Sequence, residues 1–81
     1  MQITITDYKL DIDDYDGDNS FMTVNQNLTM RELLFKVSEK YNARFKDFEM
    51  GDISYNTKLK DLNHFDITFY DKKGNTFGMF F

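Results

Sequence analysis

Leu28-Thr29-Met30-Arg31-Glu32-Leu33 carries the strongest local signal in this 81-residue chain. A Thr followed three residues later by Glu forms a capping box: the hydroxyl accepts from the Glu amide, and the carboxylate reaches back to the Thr amide. Leu28 and Leu33 flank it at the spacing of a hydrophobic staple. Beyond it, Met30, Leu33, Leu34, Val37 and Tyr41 recur at helical spacing and make one apolar stripe. Glu32 and Lys36 form an i,i+4 pair in the favoured order. Asn42, tolerant of the left-handed conformation, is a natural terminator. The pattern predicts a helix over Met30 to Asn42.

Outward from that helix the chain reads as strands. On the N-terminal side Ile3 and Ile5 alternate with polar residues, then Tyr8, Leu10 and Ile12 alternate on the other parity. Such a switch predicts a long first strand with a bulge or tight turn near Thr6–Asp7, the alternative being a three-strand meander. Asp13 to Asn19 is dense in turn formers and closes a hairpin, with Phe21 to Val24 returning. On the C-terminal side Phe48 and Met50 alternate, Gly51-Asp52 breaks the run, and Ile53 and Tyr55 alternate again. Leu59 and Leu62 fit one turn of helix, and Phe65, Ile67 and Phe69 a strand. Asp71 to Asn75 is a short loop, and Thr76 to Phe81 reads as a last strand with Phe77, Met79 and Phe81 on one face. The expected order is hairpin, helix, strand, helical turn, strand, strand: an α+β fold with a mixed sheet of four to five strands on one α-helix.

These residues resemble the ubiquitin-like β-grasp family. The resemblance rests on Met1-Gln2-Ile3 opening the first strand, on Leu28 to Glu32 opening the long helix, and on Thr57-Lys58-Leu59-Lys60-Asp61-Leu62 before a late strand. It covers the chain to about Tyr70 and implies a β-grasp fold and a role in protein interaction. The chain departs from the family's conjugated modifiers and sulfur carriers in two ways. Its first hairpin is longer, and it ends Phe77-Gly78-Met79-Phe80-Phe81 rather than in Gly-Gly. Neither conjugation nor sulfur transfer is therefore expected.

Length and composition agree with one domain spanning residues 1–81. Nine Phe and five Tyr supply the large rings from which a small core can be built, and the absence of Cys excludes disulfides and thiolate chemistry. No basic n-region opens the chain and no run approaches membrane-spanning length, so a cytoplasmic location without membrane association is expected.

The charge is unevenly placed. Six of the fourteen acidic residues lie between Asp7 and Asp18, opposed there only by Lys9. Six acidic residues less one basic make the stretch −5, and the remaining nine basic and eight acidic residues make +1, so the formal charge of −4 originates in one short stretch. Concentrated charge governs steering and partner choice rather than fold. Asp11, Asp13, Asp14, Asp16 and Asp18 are the candidate binding residues. An EF-hand reading fails: with Gly17 at the sharp turn, the first and last ligand positions fall on Ile12 and Thr23, neither a carboxylate. The expected partner is a protein with a basic surface. Carboxylates on a rigid hairpin can also compete for the Lys and Arg of a nucleic-acid-binding enzyme, as in a phage or mobile-element inhibitor. An auxiliary subunit of a larger enzyme or secretion complex is a third reading. The plain reading is that the charge keeps an aromatic-rich hairpin soluble and discourages edge pairing.

Two aromatics join the candidates. Phe35 falls beside Arg31 and Glu39, away from the helix's apolar stripe, and is expected to be partly exposed as an interface anchor. Phe80 points outward if Phe77, Met79 and Phe81 face the core, leaving the last strand an open edge for β-augmentation or a homodimer. Basic residues Lys36, Lys40, Arg44 and Lys46 gather near the helix C-terminus, where they complement the helix dipole; with net negative charge, direct nucleic-acid binding is not expected. His64 has no second imidazole or thiol to complete a metal site, and Ser20, Ser38 and Ser54 lack a nucleophile context. No catalytic residue, cofactor or metal is expected.

Overall fold

The computed structural model describes residues 1–8 and 18–81, with Asp18 described by its backbone. Strands β1 (Gln2–Tyr8) and β2 (Asp18–Thr23) precede helix α1 (Met30–Tyr41). Strand β3 (Ala43–Glu49), a 3₁₀ turn (Leu59–Asp61), β4 (Asp66–Asp71) and β5 (Thr76–Phe80) follow. The sheet order is β2-β1-β5-β4-β3. The α+β arrangement is therefore as expected, a β-grasp-like fold with a five-stranded sheet on one helix. Every neighbouring pair is antiparallel. β1 and β4 run the same way, with β5 between them.

Helix α1 begins and ends where its residues require. Thr29 Oγ1 accepts from the Glu32 amide at 3.3 Å, while Glu32 Oε1 accepts from the Thr29 amide at 3.1 Å. Asn42 closes the helix in the left-handed conformation, φ 55°. The first two helical amides, beyond reach of the capping box, donate to a loop: Met30 N–H to Thr57 O at 2.8 Å and Arg31 N–H to Tyr55 O at 2.9 Å. Two bonds run alongside them, Leu59 N–H to Leu28 O and Lys60 N–H to Gln26 O, both 2.9 Å. The segment expected to alternate as a strand at Ile53 and Tyr55 is thus a turn-rich loop whose carbonyls cap the helix.

The core lies between sheet and helix. Met30, Leu33, Leu34 and Val37 from α1 meet Ile3, Ile5, Ile67, Phe69, Phe77 and Met79, with Leu59 closing one end. Across β3, β4 and β5, Phe48, Phe69 and Phe77 occupy one cross-strand row. Their rings stack at centroid separations of 4.7 Å and 5.0 Å. Tyr41 of α1 caps this row, 5.2 Å from Phe77, and its hydroxyl shares a 2.8 Å hydrogen bond with Ser20 Oγ.

Three sequence expectations are corrected. No bulge interrupts β1, which keeps continuous register with β2 from Gln2 to Asp7 and with β5 from Thr4 to Tyr8. Tyr8, where the parity changes, is on the uncovered face with its ring in the space beside Gly78; Leu10 and Ile12 lie outside the described residues. A Cβ on that glycine would meet the ring at 2.8 Å. Strand β3 starts at Ala43, not near Phe48, because its register shifts between those residues. The shift places Ala43 and Phe48 both in the core although their parities differ, which breaks the alternation that marks a strand. Finally, β5 is the middle strand of the sheet and not an open edge. The Asp71–Asn75 turn returns the chain to the side of β4 facing β1. Asp71 Oδ1 accepts from the Lys73 and Asn75 amides at 2.9 Å each, and Gly74 takes φ 87°.

Removal of residues 76–81 withdraws Phe77 and Met79 from the core and separates β1 from β4; the truncated chain is expected to lose cooperative unfolding in circular dichroism. Phe69→Ala should cost about 3–5 kcal/mol in urea unfolding, a large part of the stability of a domain this small. Hydrogen bonds from Thr29 hold the Glu32 carboxyl below its ordinary 4.5, and bonds from Asn75 lead those holding Asp71 below 3.8. Depressed carboxyls stabilise above their unfolded values, and the contribution disappears as pH falls through the folded ones. The melting temperature should therefore drop below about pH 4, and less so in a Glu32→Gln, Asp71→Asn double variant.

Candidate functional site

The two strands flanking the acidic stretch pair without a break to Asp7↔Asp18. The stretch is thereby bounded at both ends by paired strands; the turn expected over Asp13 to Asn19 lies outside the described residues up to Gly17. Of the candidate carboxylates, Asp11, Asp13, Asp14 and Asp16 lie outside the described residues. Asp18 is the first residue of β2. Near this end Thr6, only 4 % exposed, donates from Oγ1 to Asn19 Oδ1 at 2.7 Å. Asn19 thus satisfies the hydroxyl of a threonine that is buried on the uncovered face.

Phe35 is 54 % exposed on α1, as the helical wheel predicts. Its ring lies 6.2 Å from that of Phe45 on β3, and it lines a shallow depression of about 400 Å³ with Arg31, Glu32, Lys36 and Glu39. One turn towards the helix start, the Arg31 guanidinium sits 5.1 Å above the ring of Tyr55. Phe35 is thus an apolar contact in a rim of mixed charge. Neither the Phe35–Phe45 nor the Arg31–Tyr55 contact could be assigned from helical spacing, since Phe45 and Tyr55 lie outside the helix.

Phe80 points away from the core as expected, but from the middle strand of the sheet and not from an edge. It is half-buried on the uncovered face, in one cross-strand row with Thr4 and Asp66, and so is no protruding edge residue. Phe77 and Met79 are buried as expected, but Phe81 is 45 % exposed, with its ring 6.2 Å from Phe65 at the rim. The three expected to share the core therefore do not. Phe80 and Phe35 lie on opposite faces of the fold, and no single surface gathers them.

The aromatic that inspection of the sequence passes over is Phe21. At 61 % it is the most exposed of the large apolar side chains on the described surface. Its register opposite Thr4 places it on the uncovered face of edge strand β2. Parity alone could not find it, because a six-residue strand carrying both Phe21 and Met22 has an apolar residue on each face.

Among the described residues no three His, Asp or Glu side chains are grouped to hold a metal ion. His64 is exposed, Ser38 Oγ donates to Phe35 O at 2.8 Å, and Ser20 is engaged with Tyr41. Arg44 pairs with Asp47 at 3.6 Å, while Lys36 and Lys40 line a second depression, of about 410 Å³, against Met22, Val24 and Leu28. No described helix is long and apolar enough to cross a membrane. No family model matches this chain, and no curated protein or solved structure matches it significantly.

Phe35 projects away from the core, so Phe35→Ala is expected to change unfolding stability by no more than about 0.5 kcal/mol. A larger loss in urea titration would make the ring structural.

Proposed function

We propose that this chain is a non-catalytic protein-interaction module of the ubiquitin-like kind, which engages a basic protein surface through its acidic β1–β2 hairpin. The observation that carries this reading is the anchoring of the acidic stretch. Six of fourteen acidic residues fall between Asp7 and Asp18, and that stretch is held by two strands in unbroken register. A field of one sign, placed at the end of a paired strand edge, steers a cationic partner toward it. Phe35, on the helix and apart from the hairpin, offers an apolar contact of the kind that anchors interfaces.

A second reading is a phage or mobile-element inhibitor that imitates nucleic acid toward a host enzyme. The density of Asp between residues 11 and 18 favours it, because closely spaced carboxylates present the same electrostatic pattern to Lys and Arg as phosphates do. The two readings share a surface and differ in whether nucleic acid competes for the partner.

The test compares the wild type with an Asp13→Asn, Asp14→Asn, Asp16→Asn, Asp18→Asn variant as immobilised baits in host extract, followed by quantitative mass spectrometry. A specific partner should be retained by the wild type, released by raised salt, and reduced at least tenfold on the variant. Added duplex DNA releasing that partner points to the inhibitor. Equal retention on both baits sinks the acidic-hairpin reading.

A further inference from the structure

The two edges of the sheet differ in how they are protected. Edge strand β3 carries Arg44, Lys46, Asp47 and Glu49 and shifts register along its length, features that discourage addition of another strand. Edge strand β2, Asp18-Asn19-Ser20-Phe21-Met22-Thr23, has no Lys, Arg or Pro and keeps unbroken register with β1. Which of its backbone groups face outward follows from the ladder. Met1 and Val24 exchange both bonds, Val24 N–H to Met1 O at 2.9 Å and the Met1 amine to Val24 O at 3.1 Å. Antiparallel pairing alternates from there, so Met22 and Ser20 bond to Ile3 and Ile5. Asn19, Phe21 and Thr23 are left directing N–H and C=O away from the sheet. All three are exposed, and no bond to their backbone from outside the β1–β2 ladder occurs among the described residues.

We infer that this edge takes a second copy of the same chain, with two β2 strands pairing antiparallel about a two-fold axis at Phe21. The strand is self-complementary in that register. Phe21 faces its own counterpart and Asn19 faces Thr23, so all three outward-bonding residues are used, each pair exchanging two bonds. Moving the centre to Ser20 or Met22 leaves one of the three without a partner. On the uncovered face the two Phe21 rings become cross-strand neighbours, which withdraws the most exposed apolar side chains of both copies from water. Charge agrees with the direction. Antiparallel pairing brings the Asp18 end of each strand to the Val24 end of the other, where Lys36 and Lys40 line the depression of about 410 Å³. The acidic end of one copy meets the basic end of its mate, twice. A strand-edge interface of this kind is small, so a dissociation constant on the order of 10–100 µM is expected.

Sedimentation equilibrium of the full chain, with isotope-filtered NOE spectroscopy on a mixed labelled and unlabelled sample, tests this. The expected result is a monomer–dimer equilibrium in that range and an intermolecular contact between the Ser20 and Met22 α-protons, which oppose each other in this register. Phe21→Lys should raise the dissociation constant at least tenfold while leaving the amide spectrum of the monomer in place. A Lys36→Glu, Lys40→Glu variant, which leaves β2 itself intact, should also weaken it. A chain that stays monomeric to about 1 mM overturns the inference. So does a dimer that ignores both variants or lacks the Ser20–Met22 contact. None of these measurements involves the basic partner, so each proposal can fail alone.

Discussion

The first turn of α1 is held by the segment 55–60, and the rest of the structure depends on that clamp. A helix start leaves amides without intrahelical partners, and burying the start demands that they be met. Thr29 serves the Glu32 amide, but Met30 and Arg31 are served only by the carbonyls of Thr57 and Tyr55. The same segment returns bonds to Leu28 and Gln26 and inserts Leu59, fully buried, beneath the helix. The clamp therefore sets where the helix begins relative to the sheet. It also consumes the positive end of the helix dipole, leaving no open amides there for an anion.

With the helix in place, one sheet face is covered and one is not. The covered face is built on the row Phe48–Phe69–Phe77, in which each strand of the β3–β4–β5 meander contributes one stacked ring. The middle position of β5 makes this row continuous with the N-terminal hairpin: Phe77 lies opposite Asp7, and Met79 opposite Ile5. Aromatic area on three neighbouring strands is how 81 residues reach a core without disulfides. The uncovered face carries threonines, Tyr8, Phe21 and Phe80 and has no helix against it.

The features proposed for binding thus fall outside the core's requirements. The acidic stretch departs from the end of the β1–β2 pair, Phe35 lies on the solvent side of α1, and the unguarded backbone runs along β2. Neither Phe35 nor Phe21 belongs to the buried core. That separation allows charge, ring and edge to be altered one at a time without loss of the core, as the proposed variants require.

The helix limits, the order of elements and the Asp71–Asn75 turn were legible in the residues. Their causes are local: a hydroxyl and a carboxylate three residues apart, an Asn able to take positive φ, an Asp followed by Gly. The exposure of Phe35 followed equally from one helical wheel. Strand neighbours were not legible, because alternation assigns a residue to a face and says nothing of which strand lies beside it. Hence β5 was expected at an edge and occupies the centre, and Phe81, expected to face the core, is exposed at the rim. The N-terminal part of β3 was hidden by its own register shift, and Phe21 became conspicuous only once β2 proved to be an edge. Sequence alone determined what is set by contacts a few residues apart; tertiary structure determined pairing and edges, because hydrogen bonds between strands are chosen among segments tens of residues distant.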